Sequence, residues 1–93
     1  MTKILIPIIL ITNIYVLNLS AAVCNGIGQI KYVNATYIGE CTKNKKDGRG
    51  RIVFRNGEKY EGSWKNDKKN GHGTQHYVNG MIYSGEWKNN VYN

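Results

Sequence analysis

Tyr60-Glu61-Gly62-Ser63-Trp64 returns 23 residues later as Tyr83-Ser84-Gly85-Glu86-Trp87, and this recurrence decides the fold. The same interval runs back from Tyr60 to Tyr37, with Gly39 in the place of Gly62 and Gly85. Aligning residues 48–66 with 71–89 gives 9 identities in 19, including Gly48/Gly71, Gly50/Gly73, Asn56/Asn79, Gly57/Gly80 and Lys65/Lys88. At an ordinary usage of about 5 to 7 per cent per residue type, chance would give about one. A fixed period of this length marks stacked supersecondary units.

The units are β-hairpins. Gly50-Arg51-Ile52-Val53-Phe54-Arg55 and Lys59-Tyr60-Glu61-Gly62-Ser63-Trp64 are short runs rich in β-branched and aromatic residues, and Asn56-Gly57 lies between them, a strong hairpin signal. Asn79-Gly80 repeats it. No helical period occurs after the first two dozen residues, so the class is all-β. Loop parity sets the faces, because a one-residue slip turns every side chain over. A three-residue connection with Gly57 at positive φ keeps Phe54, Ile52 and Gly50 on the face of Tyr60, Gly62 and Trp64. The next hairpin then presents Tyr77, Gln75 and Gly73 with Tyr83, Gly85 and Trp87. Glycine alternating with a ring leaves a gap over which a neighbouring ring can lie.

A degenerate hairpin over 26–41 precedes these, short of one residue at its turn. A two-residue loop at Asn34-Ala35 is expected, with Tyr32 opposite Tyr37 and Ala35 poorly suited to the turn. Cys41 stands where the later units have Trp64 and Trp87, so that a cystine would anchor the end of the stack. Longer connections are expected from Thr42 to Asp47 and from Lys65 to Asn70, side by side along one edge. The pattern stops at Asn93, where a further Gly-x-Gly would begin, which predicts an open last strand or a longer parent protein.

Residues 1–22 read as a secretory signal peptide: Lys3, an apolar run from Ile4 to Leu19, then Ser20-Ala21-Ala22 with a cut after Ala22. The alternative is an uncleaved anchor, since Ile4 to Val23 is 20 residues and just long enough to span a bilayer. Pro7, Asn13 and Asn18 argue against that, and Val23 argues against lipid attachment at Cys24. The expected location is secreted or otherwise extracytoplasmic. The whole chain of 93 residues carries +7, and removing residues 1–22 takes away one lysine and leaves +6. In an oxidising compartment Cys24 and Cys41 read as one disulfide, with two free thiols as the alternative.

Most catalytic and metal chemistry is unsupported. His72 and His76 are four apart on an expected strand, roughly 13 Å from each other, too far to share a metal. Gly48-Arg49-Gly50 and Gly71-His72-Gly73 have no following Gly-Lys-Ser/Thr and no helix, so they read as turn glycines and not as phosphate loops. Glu40, Glu58, Glu61 and Glu86 form no obvious pair. Asn34-Ala35-Thr36 is a glycosylation sequon if the host is eukaryotic.

Tyr-x-Gly-x-Trp, a loop, Gly-x-Gly and then Asn-Gly before the next tyrosine resembles the MORN repeat over Gly26 to Trp87. Tyr60, Gly62, Trp64, Gly71, Gly73 and Gly80 fit, as do Tyr83, Gly85 and Trp87; Cys41, the shortened turn at Asn34 and Ser84 depart from the pattern. The resemblance implies an elongated, twisted, single-layer antiparallel sheet of stacked MORN β-hairpins, with repeats over 37–59, 60–82 and a partial one over 83–93 inside a domain spanning 23–93. It also implies a scaffold or binding module, with links to membranes and acidic phospholipids in some members.

Two surfaces are therefore candidate sites. The aromatic face carries Tyr32, Tyr37, Phe54, Tyr60, Trp64, Tyr77, Tyr83 and Trp87; its rings hold the sheet together, and any left exposed could take a partner peptide. Lys43, Lys45, Lys46, Lys65, Lys68 and Lys69 form a cationic edge suited to anionic phospholipid or a cell-surface polymer. The expected function is a non-catalytic, exported protein-binding or scaffold module, using its aromatic face and its C-terminal edge for a protein partner or self-association. The alternative is electrostatic membrane or polymer attachment through the lysines. Neither cofactor nor nucleic acid is expected.

Overall fold

A computed structural model describes residues 23–93. The expected signal segment, 1–22, lies outside the described residues. Seven strands, β1 (Gly26–Lys31), β2 (Ala35–Thr42), β3 (Lys45–Phe54), β4 (Lys59–Lys65), β5 (Lys68–His76), β6 (Ile82–Lys88) and β7 (Val91–Tyr92), form one antiparallel sheet in chain order. The protein is thus all-β, a single open meander, as the hairpin pattern requires.

Register follows the glycines. Gly28 faces Gly39, Gly39 faces Gly50, Gly50 faces Gly62, Gly62 faces Gly73, and Gly73 faces Gly85, so one row of glycines crosses six strands. The Tyr37 ring lies against Gly50 and the Tyr60 ring against Gly73, so closely that a Cβ on either glycine would overlap the ring. Each tyrosine then donates its hydroxyl proton to a carbonyl three residues on: Tyr37 to Glu40 at 2.6 Å, Tyr60 to Ser63 at 3.0 Å, Tyr83 to Glu86 at 3.1 Å. Trp64 and Trp87 stand edge-on between these rings and donate their indole N–H to the carbonyls of Gly50 and Gly73, both at 3.1 Å. Centroid separations along Tyr37, Trp64, Tyr60, Trp87 and Tyr83 are 5.6, 5.0, 5.4 and 5.3 Å, all T-shaped. Each such pair contributes about 0.5 to 1.5 kcal/mol beyond area burial. This row is how a sheet one layer thick acquires a core.

The three-residue turns occur as the parity argument requires. Phe54 donates its N–H to the Glu58 carbonyl, Gly57 donates to Phe54, and Tyr77, Gly80 and Met81 repeat the arrangement. The degenerate hairpin corrects one expectation. Its turn is Val33-Asn34 and not Asn34-Ala35: Ile30 faces Tyr37, Lys31 faces Thr36, and Tyr32 donates its N–H to Ala35 at 2.8 Å. The reason is the glycine row, since only this register sets Gly28 against Gly39 and gives Ile30 the place that Ile52 holds opposite Tyr60. A shift of two keeps the predicted faces, and Ala35 escapes the turn altogether.

The expected long connections are a second correction. Between β2 and β3, β4 and β5, and β6 and β7 the turns contain only two residues, Lys43-Asn44, Asn66-Asp67 and Asn89-Asn90, and both residues of each take positive φ. That is the hairpin turn whose twist matches its strands, and Asn and Asp tolerate it better than other non-glycine residues. The extra length reappears as bulges: Asp47-Gly48-Arg49 stands opposite Glu40, and Asn70-Gly71-His72 opposite Ser63. Gly48 and Gly71 take the positive φ at these bulges. The Gly-x-Gly motif is therefore one bulge glycine and one ladder glycine, not a turn.

Candidate functional site

Each two-residue turn docks onto the preceding repeat. The second turn residue donates its N–H to, and accepts by its side-chain oxygen from, one residue: Asn44 with Cys24 at 2.7 and 3.1 Å, Asp67 with Lys46 at 2.8 and 2.9 Å, Asn90 with Lys69 at 3.0 and 2.9 Å. Cys24, Lys46 and Lys69 thus hold equivalent places. Their partners on the aromatic face are equivalent too, since Cys24 is disulfide-bonded to Cys41 with a Cα–Cα distance of 5.8 Å, Lys46 Nζ lies 5.0 Å from the Trp64 ring centroid, and Lys69 Nζ lies 4.8 Å from that of Trp87. A covalent bond in the first unit replaces a cation–π contact in the other two.

The lysine edge is consequently split. Lys43, Lys45, Lys65 and Lys68 are exposed beside the turns, but Lys46 is buried and Lys69 half-buried on the aromatic face. The bulges account for this: they set Lys46 opposite Cys41 and Lys69 opposite Trp64, on the side of the rings. Lys46 Nζ meets Asp67 Oδ1 at 3.0 Å and donates to the Tyr32 hydroxyl at 2.9 Å. Burial alone would raise the Asp67 carboxyl, but hydrogen bonds from the Lys46 backbone and ammonium, with its charge, outweigh that and leave the pKa below the usual value. Burial lowers the Lys69 ammonium pKa, with Glu58 partly opposing it.

The aromatic face divides as well. Tyr37, Tyr60, Trp64 and Trp87 are consumed by the stack, and Tyr37 and Tyr60 have no exposed surface at all. Burial pushes the Tyr37 phenol up to about 12, helped by the nearby Glu40 charge, and raises Tyr60 as well. Phe54, Tyr77 and Tyr83 are half-buried and Tyr32 is exposed, so these rings remain available to a partner. Tyr92, which sequence reasoning missed, joins them: it leans on Tyr83 and Trp87 with centroids 4.3 and 4.9 Å away, and its hydroxyl is hydrogen-bonded to that of Tyr77. Phe54, Lys69, Tyr77, Trp87 and Tyr92 line a cavity of about 310 Å³ near β7, together with Glu58 and Gln75. Gln75 was not singled out as a site residue either; it is 2% exposed and accepts a hydrogen bond from Lys69 Nζ at 2.6 Å.

The opposite face is mixed, with Ile38 and Val53 exposed among polar side chains. Arg51, Glu61, Thr74 and Ser84 run across β3 to β6, with the Thr74 and Ser84 hydroxyls 2.9 Å apart, and Arg49 Nη1 donates to Ser63 Oγ at 3.1 Å. His72 and His76 both lie on β5, His72 3.4 Å from Glu86. No cluster of three or more His, Cys, Asp or Glu side chains able to hold a metal occurs among the described residues. Asn34 is exposed in the first turn.

The family model described as MORN repeat matches residues 37–59, 60–82 and 83–93. No curated protein matches the chain. Repeats of this kind are non-catalytic and in general bind proteins or membrane lipids. The matched segments cover more than half of the sequence and coincide with the tyrosine, glycine and tryptophan ladders, and the chain belongs to the MORN-repeat family.

Proposed function

We propose that this protein is a non-enzymatic, exported binding module that takes an extended segment of a protein partner on its aromatic face. The observation that carries the reading is the division of the rings. Four are buried in the internal stack and Tyr83 ends it half-buried, while Phe54, Tyr77 and Tyr92 keep accessible surface around a cavity. Rings with an apolar body and a polar tip are the residues that interfaces enrich. Val91 and Tyr92 on the short edge strand β7 are 62% and 51% exposed, which extends the same surface to an edge that could pair with a partner strand or a second copy. Export rests on the apolar stretch of residues 1–22 and on the disulfide, a bond kept in oxidising compartments.

Membrane attachment is the second reading, and one observation favours it: the exposed Lys43, Lys45, Lys65 and Lys68 lie together beside the turns of one sheet edge. Ionic strength separates the two. Short random peptides displayed on phage are selected on the full chain, and phosphatidylserine vesicles are offered in parallel. Peptide capture that persists to about 0.5 M salt and is lost in Phe54→Ser/Tyr77→Ser supports the aromatic face, because charges at that ionic strength are screened beyond a few ångströms. Vesicle binding that collapses with salt and with alanine at the four exposed lysines, without peptide capture, overturns it.

A further inference from the structure

Lys46 and Lys69 hold the same place in successive repeats, yet their charges meet different surroundings. Both ammonium groups lie over two rings, Lys46 Nζ at 4.7 Å from Tyr32 and 5.0 Å from Trp64, Lys69 Nζ at 5.0 Å from Tyr60 and 4.8 Å from Trp87. Lys46 also has the Asp67 carboxylate and the Tyr32 hydroxyl. Twenty-three residues after Asp67 stands Asn90, and Phe54 takes the place of Tyr32, so both partners are missing in the next repeat. Among the described residues, Lys69 Nζ has one hydrogen-bond partner, Gln75 Oε1, and no ion pair. An ammonium has three protons to donate, and a half-buried cation without a counter-ion is costly.

This unbalanced charge lines the one cavity walled by the accessible rings Phe54, Tyr77 and Tyr92. About 310 Å³ is at the small end of ligand pockets and suits a side chain more than a whole ligand. Glu58 lines the same cavity, beyond ion-pair distance from Lys69. One ammonium with one carboxylate nearby is a poor match for a multiply charged phosphate and a good one for a singly charged group.

We infer that the cavity over Phe54, Lys69, Tyr77 and Tyr92 is a carboxylate-reading subsite, which accepts the side chain of an Asp or Glu in an extended peptide whose apolar neighbours rest on the rings. The inference rests on the proposal that the aromatic face binds a peptide, and it names what that peptide must carry. Lys69 then obtains from the partner the counter-ion that Asp67 gives Lys46 from within the chain. Lys46 is already satisfied, so selectivity belongs to the C-terminal repeat alone.

The test uses the internal comparison. Random peptides are selected on the full chain, and the affinity of a selected acidic peptide is compared with that of its Asn or Gln analogue. The full chain prefers the acid by about tenfold, the size of one hydrogen bond to a charged group. Asn90→Asp copies the internal counter-ion and removes the preference, as does Lys69→Met, which keeps an unbranched stem over the rings; Asp67→Asn leaves it in place. Glu58→Gln strengthens acidic binding. A preference that survives Asn90→Asp overturns the inference, and so does selection of peptides without an acidic residue, which leaves the aromatic-face reading standing. No selected peptide at all overturns both. Binding of an oligosaccharide of uronic acids that depends on Lys69, where acidic peptides fail, overturns the peptide assignment and gives the subsite to an acidic glycan.

Discussion

Cys24–Cys41 at one end of the sheet and Lys69–Trp87 at the other are the same pair of positions in the repeat, solved in different ways. At the first end the contact is covalent and closed. In the middle, Lys46 rests on Trp64 with its charge matched by Asp67. At the far end Lys69 rests on Trp87 with no ion pair among the described residues and a cavity beside it. The repeat thus keeps one backbone geometry while its three units pass from a covalent contact to a cation beside an open cavity. In the reading proposed above, the closed contact serves stability and the unmatched charge serves recognition.

The largest blow to the comparison should come from the shared stack. Trp64 joins Tyr37 to Tyr60, and Trp64→Ala should cost about 3 to 5 kcal/mol, measured by urea unfolding. Cys24→Ser/Cys41→Ser removes the covalent version of the contact across 17 residues of chain and should cost ~3 kcal/mol. Its effect should appear first as loss of hydrogen-exchange protection in β1 and β2, while β4 to β6 keep theirs.

Alkaline pH attacks the stack differently. The Tyr37 phenol is raised to about 12 in the fold by burial, against 10.0 for an ordinary tyrosine, so the folded chain holds this proton more tightly than the unfolded one. Its contribution is fully present below pH 10 and is lost as pH rises from 10 to 12, by up to about 3 kcal/mol. Thermal unfolding across that window should show the decline, and Tyr37→Phe, which also gives up the bond to Glu40, should lessen it, with Tyr60 keeping its own share.

Smaller effects sharpen the contrast between the lysines. Asp67→Asn strands the buried Lys46 charge and should cost about 1 to 2 kcal/mol, limited by the exposure of Asp67 itself. Asn90→Asp should do the reverse for Lys69, stabilising the chain by no more than about 1 kcal/mol. A loss of stability in Asn90→Asp would mean that Lys69 is already balanced.

Much of this was legible in the sequence because the period of 23 is carried by residues with a single structural use. Tyr37 and Tyr60 each need a glycine on the next strand and Tyr83 repeats their interval, so the all-β class, the paired hairpins and the shared face follow from spacing. Asn56-Gly57 gives the bulged turn directly. What escaped reading lies where two devices share one segment. Between Thr42 and Gly50 a tight turn and a bulge are packed together, and counting residues without separating them gives a long loop and leaves Lys46 in solvent. The first turn was set two register positions away because Tyr32 was paired by ring type, where the glycine row decides. Tyr92 stands 23 residues after Lys69 and faces Trp87 as Lys69 faces Trp64, so the repeat leads one to expect a lysine there and not a ring. The unmatched charge of Lys69 was in principle visible, since Asp67 and Asn90 are 23 apart, but reading it needs the fact that these turn residues grip the lysines of the preceding repeat.

The measurement that tests the central claim most directly is the backbone amide NMR spectrum of the full chain titrated with a selected peptide. The account predicts shifts at Phe54, Tyr77, Trp87 and Tyr92, with the opposite-face residues Arg51, Glu61 and Thr74 unmoved. Shifts confined to the opposite face, or to the turn lysines Lys43, Lys45, Lys65 and Lys68, would contradict it.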